Sequence, residues 1–261
     1  MITSSQNSKI KLVRALLGRA KERRDANAFV LEGVRLVEEA VNDHILKHKI
    51  KFALYDETLN QRGKLLVENL KSYNIEVDEI PARLMRTISQ TETPQGLLAV
   101  VEFFQLPIPT TPNFVLILDR VRDPGNLGAL LRTAWATGVQ TVLLPPDSTD
   151  AFSPKVLRSG MGAQLQLPIY SLDWGQIRGY ITGMEIYLAD MDGKSCWETD
   201  LRQPLALIIG GEAEGASEEA RKLETKKISI PMSGDIESLN AGVAGSVLMF
   251  EVVRQRKQTA G

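Results

Sequence analysis

Beyond residue 113, six apolar runs at 114–118, 139–144, 165–169, 185–189, 205–209 and 228–230 are separated by helical patterns of roughly ten residues. The runs do not alternate apolar with polar residues, so each needs cover on both faces. Successive strands covered on both faces form a mainly parallel sheet flanked by helices, which predicts an α/β domain. In such sheets ligands collect at the carboxyl ends of the strands, where loops and helix starts converge. Ser153-Pro154 has the form of an N-cap followed by proline at the first helical position, and Gly138 that of a helix stop.

The preceding part, to about Gln105, alternates helical and strand signals: helix over Lys9 to Lys21, strand over Ala28 to Glu32, helix over Gly33 to Asp43 and strand over Lys51 to Tyr55. A helix over Lys64 to Asn74, a short one near Ala82 to Ile88 and a strand over Gly96 to Phe104 complete a small α/β domain. Residues 106–112 hold three prolines and no charge, an extended and fairly stiff linker. The expected division is therefore 1–105, linker 106–112, and 113–261.

Composition narrows the chemistry. The chain has 261 residues, 43% of them apolar and 24% charged, an ordinary globular balance. A single cysteine, Cys196, rules out an internal disulfide, and with His44 and His48 as the only histidines no metal is expected. No long apolar stretch is present and the N-terminus is polar, then basic, so no membrane association and a cytoplasmic location are expected. The net charge of -1 gives no global attraction for nucleic acid, but seven basic residues against one acid lie between Lys9 and Arg24. Ile10, Val13, Leu16 and Leu17 share one face there. A solvated amphipathic helix and a helix whose polar face touches phosphates fit that pattern about equally.

Three segments at strand ends carry the chemistry. After the run 114–118, a Pro124-Gly125-Asn126 turn leads into Gly128 and Arg132; the glycines allow close backbone approach and Asn126 can cap the helix while offering an amide to a ligand. Arg132 follows Asn126 by six residues, a little under two turns, and is expected on roughly the same side. The second segment, Gly210 to Ser217, has three glycines with room for a flat ligand, and a good helix start at Ser217. Its two carboxylates, Glu212 and Glu214, argue against a phosphate cradle and suit a ligand with a cationic centre. The third, Ile230 to Asn240, enters a helix running to about Arg256 whose small residues Ala241, Gly242, Ala244 and Gly245 imply close packing against another helix of the same domain or against a second subunit.

Taken together and in this order, the motifs resemble those of the SpoU-type RNA 2′-O-ribose methyltransferases of the SPOUT superfamily. The resemblance rests on Asp123-Pro124-Gly125-Asn126-Leu127-Gly128, Ser153-Pro154-Lys155-Val156-Leu157-Arg158, Gly210 to Gly215 and Ile230 to Ala244. The N-terminal part resembles that family's substrate-binding domain at Phe29-Val30-Leu31-Glu32-Gly33-Val34-Arg35 and Thr93 to Val100. Gly211 stands where many members have asparagine, and Gly242 where serine is common.

The resemblance implies a C-terminal domain whose last segment threads a deep trefoil knot, S-adenosylmethionine bound in the knot, pairing of two subunits through it, and methylation of an RNA ribose 2′-hydroxyl. It implies cofactor contacts, largely through backbone, at Gly210, Ile230 and Leu239, with Ala189 and Met232 beside them. Asn126, Arg132, Glu212, Ser238 and Asn240 would form the catalytic group. RNA contacts are assigned to Lys9, Lys11, Arg14, Arg35, Lys155 and Arg158. Methyl transfer from a sulfonium needs no metal and depends on alignment; Arg132, whose pKa lies far above neutrality, would stabilise developing negative charge rather than act as a base. Ribosomal RNA is preferred to transfer RNA by analogy of the N-terminal domain. A silent RNA-binding homologue is the rival reading, and a nucleotide-dependent oxidoreductase is disfavoured because no glycine fingerprint follows Leu118.

Overall fold

The computed structural model describes residues 1–212, 214–223, 226–234 and 238–258. The chain forms two compact units, Met1–Phe104 with Phe152–Leu165, and Gln105–Ala151 with Gln166–Gly261.

The first unit contains α1 (Ser8–Gly18), α2 (Ala20–Asp25), β1 (Ala28–Glu32), α3 (Val34–Asn42), β2 (Ile50–Tyr55), α4 (Gln61–Ser72), β3 (Glu76–Glu79), α5 (Ala82–Ile88) and β4 (Leu97–Glu102). Its sheet has the order β1-β4-β2-β3, with β4 antiparallel to both neighbours and β2 parallel to β3. Alternation within strands serves two cores. Phe29 and Leu31 of β1 with Leu97, Ala99 and Val101 of β4 face Val37, Leu66 and Leu70, whereas Val30, Leu98 and Val100 face Ile10, Val13, Leu16 and Met85.

The helix expected over Lys9 to Lys21 breaks at Arg19, whose ψ of 146° is extended. Buried Arg23 donates to the carbonyls of Leu16 (2.7 Å) and Gly18 (3.1 Å), satisfying the end of α1. The two N-terminal motifs also meet. Gly33, at φ 101°, holds a backbone conformation that residues with a side chain rarely adopt, and Gln95 Oε1 beside it accepts from the Val34 amide (3.0 Å) at the start of α3.

The second unit begins with β5 (Phe114–Asp119), α6 (Pro124–Ala136) and β6 (Thr141–Leu144). The chain then returns to the first unit for α7 (Pro154–Gly160). The second unit resumes with β7 (Ile169–Ser171), α8 (Trp174–Tyr180), β8 (Glu185–Ser195), β9 (Leu205–Gly210), the short α9 (Glu218–Arg221), β10 (Lys226–Ser229) and α10 (Ala241–Gln258). All five strand pairings in the order β10-β8-β9-β5-β6-β7 are parallel. One face packs Val115, Ile117, Ala206 and Ile208 under Ile177, Ile181, Ala220 and Leu223 of α8, α9 and their flanks.

Two details differ from the sequence expectation. Residues 152–165, placed by the sequence with the second domain, belong to the first unit, because Leu157 and Leu165 join the core built on Phe29, Leu31 and Leu97. The apolar run at 165–169 is not a strand; Ala163–Leu165 is a 3-10 turn and β7 begins at Ile169. Among the described residues no helix is long and apolar enough to cross a membrane.

The small residues of α10 pack inside their own unit. A Cβ on Gly245 would collide with the Leu130 side chain of α6 and lie 3.3 Å from Ile209 of β9, and one on Gly242 would lie 3.3 Å from Asn126 Oδ1. Gly245→Val should therefore destabilise the protein by about 1–3 kcal/mol through overpacking; a urea midpoint equal to wild type would reject this account of the helix.

Candidate active site

The end of β9, the middle of β8 and the end of β10 line one cavity of about 600 Å3. Its lining includes Ala189, Gly210, Glu212, Ile230, Met232, Ser238 and Leu239, so seven of the residues inferred from sequence share it. Asn126 and Asn240 tie its mouth together. Asn240 Nδ2 donates to Asn126 Oδ1 (2.9 Å), and Asn126 Nδ2 donates to Glu212 Oε1 (2.7 Å). The first turn of α6 and two loops, 86 and 114 residues away along the chain, are thereby joined through one amide. Ala213, Asp235, Ile236 and Glu237, also within the sequence motifs, lie outside the described residues.

Local sequence explains why Asn126 is free for this bridge. The helix starts earlier than expected, with Asp123 as N-cap accepting from the Asn126 amide (2.8 Å) and Pro124 in the first turn. Asn126 is therefore not the cap. Its side chain leaves α6 sideways toward Glu212.

The glycines of the second motif are required by the chain itself. A Cβ on Gly210 would lie 2.6 Å from the Ala216 amide nitrogen, and one on Gly211 would run into the Arg120 carbonyl oxygen. They allow the loop to fold back on β9 and on the end of β5, which leaves its backbone bordering the cavity. Asp119, at the end of β5, is buried and accepts from the Ser217 amide (2.6 Å), anchoring the same loop from below.

Two lining residues carry charge that the sequence did not single out. Asp190 of β8 accepts from Arg221 Nη1 (3.1 Å) and pairs with Lys227 Nζ (3.3 Å). Burial works to raise its pKa, but the Asp192 amide, Arg221 and Lys227 together hold it below the ordinary carboxylate value. Asp190 and Arg221 adjoin residues already in the motifs, but no spacing rule distinguishes them from surface charges. Cys196 is buried and its thiol is pushed up to about 11 by desolvation, so it is chemically quiet.

Arg132 does not join this cluster. Six residues are about one and two-thirds helical turns, which points its side chain about 120° away from Asn126. It is exposed on α6, outside the cavity lining, and makes no hydrogen bond or ion pair among the described residues. The RNA candidates divide similarly. Lys9 is ion-paired with Glu76 and Asp78 and lies 5.1 Å over the Phe52 ring; burial alone would lower its pKa, but these carboxylates raise it. Arg158 pairs with buried Glu32 at 3.5 Å. Both charges, assigned to RNA from the sequence, are paired within the fold. Lys11, Arg14, Arg35 and Lys155 are exposed. Among the described residues there is no cluster of three side chains able to hold a metal.

The cavity fits S-adenosylmethionine by its own chemistry. It has the volume of a small-ligand site, aliphatic walls from Ile209, Ile228, Ile230, Leu239 and Leu248, and two carboxylates compatible with a cationic sulfonium.

Residues 113–250 match the model of the SpoU rRNA Methylase family, and residues 7–99 that of an MRM3-like substrate binding domain. The chain is 32% identical to the 23S rRNA (guanosine(2553)-2′-O)-methyltransferase RlmP of Bacillus subtilis, over 96% of this chain and 98% of that one. It superposes with a TM-score of 0.84 on an AdoMet-bound rRNA methyltransferase from Sinorhizobium meliloti, at 28% identity and 97% coverage of both chains. The cofactor complex of AviRb from Streptomyces viridochromogenes gives 0.82, at 29% identity, over 97% of this chain and all of that one. Fold, cavity and relatives together define an S-adenosylmethionine-dependent RNA 2′-O-ribose methyltransferase. The chain belongs to the SpoU rRNA Methylase family.

Gly210→Ala should weaken S-adenosylmethionine binding by about tenfold or more, or 1.4 kcal/mol, because the added methyl displaces the Gly215-Ala216 backbone that closes the cavity. Titration calorimetry giving a wild-type Kd would refute that reading.

Proposed function

We infer that the chain methylates a ribose 2′-hydroxyl of ribosomal RNA. The observation that carries this reading is the Asn240–Asn126–Glu212 chain at the mouth of the cavity. S-adenosylmethionine supplies an electrophilic methyl group. Gly210, Ile230 and Leu239 hold it largely through backbone, flanked by Ala189 and Met232. Glu212 is oriented by Asn126 and lines the cavity, as does Ser238. Orientation of the acceptor oxygen toward the methyl carbon is what these fixed amides contribute. The relatives' ribosomal substrates support the same RNA class here, and a cytoplasmic location is part of the same proposal.

Arg132 completes the site in a homodimer. It is exposed and turned from its own cavity, while Val243 and Phe250 of α10 and Trp135 of α6 leave apolar surface at 51%, 54% and 48% exposure. Thr133 and Ser246 meet at 3.0 Å, so the two helices present these residues on adjoining surfaces. A second copy seated there would cover that surface and bring in a guanidinium able to stabilise charge developing on the 2′-oxygen. The return of the chain from edge strand β10 to α10 beside α6 and β9 supports a knotted path for this segment. The first unit serves as the RNA-binding domain, with Lys11, Arg14, Arg35 and Lys155 as its exposed cations.

Mapping 2′-O-methyl marks on ribosomal RNA from cells with and without the gene should reveal one mark lost in its absence. An unchanged map refutes ribosomal RNA as substrate. Arg132→Ala should abolish turnover while calorimetric S-adenosylmethionine binding persists. Mixing R132A with E212Q subunits should restore about a quarter of wild-type activity, because half of randomly paired dimers then hold one complete site. No recovery after verified subunit exchange would place the arginine elsewhere.

A further inference from the structure

Next to the cavity, the loop between β5 and α6 carries two arginines with no part in the cluster described above. Arg120 adopts a left-handed conformation, φ 56°, unusual for a residue with a side chain. Its carbonyl fills the space that a side chain at Gly211 would need, so residue 120 is fixed against the loop that bears Glu212. Its guanidinium reaches Glu214 Oε2 (3.4 Å), and Arg122 Nη1 lies 3.9 Å from the other oxygen, Glu214 Oε1. Two guanidiniums thus bracket one carboxylate, one for each oxygen.

The pairing is loose. Both distances exceed the roughly 2.7–2.9 Å of a strong charge-assisted hydrogen bond, and the Arg122 and Glu214 side chains are each 60% exposed. Pairs of this kind contribute little and are screened by salt. A phosphodiester presents the same feature that Glu214 does, two anionic oxygens, in a geometry guanidinium groups match well. The position is suited to that ligand, since Arg122 immediately precedes the cap of α6, four residues before the asparagine that holds Glu212.

We propose that Arg120 and Arg122 form a clamp for an RNA backbone phosphate beside the acceptor ribose, and that Glu214 occupies the clamp as an internal counter-ion until RNA displaces it. The inference rests on the ribose-methylation reading for its ligand class. Glu214 then acts as a latch: it limits binding by weak anions and is exchanged when a polyanion offers additional contacts.

The test is fluorescence anisotropy of the full-length protein with a labelled ribosomal RNA transcript across a salt series. The double variant R120A/R122A should bind about tenfold more weakly and lower the salt slope by about one to two, with calorimetric S-adenosylmethionine affinity within about twofold of wild type. Glu214→Gln should tighten RNA binding by about two- to fivefold in the wild-type background and by nothing in the R120A/R122A background. Glu219→Gln, an exposed acid on α9, measures the general effect of removing a negative charge and should give a smaller gain, equal in both backgrounds. R122A alone and E214Q keep the test decisive if the double variant fails to fold. An unchanged salt slope in the arginine variants, weaker binding in E214Q, or an E214Q gain that persists without the arginines overturns the clamp. Because these readouts need no turnover, altered slopes without any methyl transfer would sink the reaction and leave the clamp standing. Normal methylation with unaltered slopes would do the reverse.

Discussion

One carboxamide governs the geometry of the site. Asn126 uses its oxygen toward Asn240 and its nitrogen toward Glu212, so the entrance to α10 and the loop after β9 are registered on the first turn of α6. An amide suits this role because it donates and accepts from opposite sides of one planar group. Aspartate would face Glu212 with a second carboxylate, and a hydroxyl would be too short to span both partners. The bridge also depends on a neighbour: Asp123 caps the helix and leaves the Asn126 side chain available.

Around the bridge, glycines let neighbouring segments approach closely. Gly210 lies against Ala216, Gly211 against the Arg120 carbonyl, and Gly245 against Leu130 and Ile209. The first lets the loop fold back on itself, and the other two permit contact between elements distant in sequence. Interior glycines carry a helix penalty of about 1 kcal/mol each, and in α10 that cost is offset by packing against α6 and β9. The donor cavity is therefore a consequence of tight chain packing around it.

Much of this was legible because strands covered on both faces write continuous apolar runs; β5, β9 and β1 emerge nearly at their sequence boundaries. Failures share a physical cause, since local patterns do not carry tertiary partners. β3 reads Glu76-Val77-Asp78-Glu79, an edge strand with almost no apolar signal, and its carboxylates pair with Lys9, a partnership no local pattern announces. Residues 152–165 look like a routine helix between strands but bury Leu157 and Leu165 in the first unit. Asn126 and Glu212 were recognisable by motif, whereas the direction of Arg132 is set by helical phase and does not follow its motif partner. Arg120 and Arg122 were invisible for another reason: their relevance comes from Glu214, 94 residues beyond Arg120.

The substrates impose opposite electrostatic demands, and the second unit separates them over a short span. A sulfonium donor is cationic and RNA is a polyanion, so a uniformly basic or acidic pocket would favour one and repel the other. Here the carboxylates Asp190 and Glu212 line the donor cavity with one cation, Arg221, which pairs with Asp190, while Glu212 accepts from Asn126. The arginines of the β5 to α6 loop lie outside that lining, as does Arg132 on α6. Loss of the donor's positive charge on methyl transfer weakens its attraction to the inner carboxylates, while the phosphate charges of the RNA are unchanged by the reaction. With two carboxylates against one arginine on the lining, the charge balance favours loading of the cationic donor over retention of its neutral product.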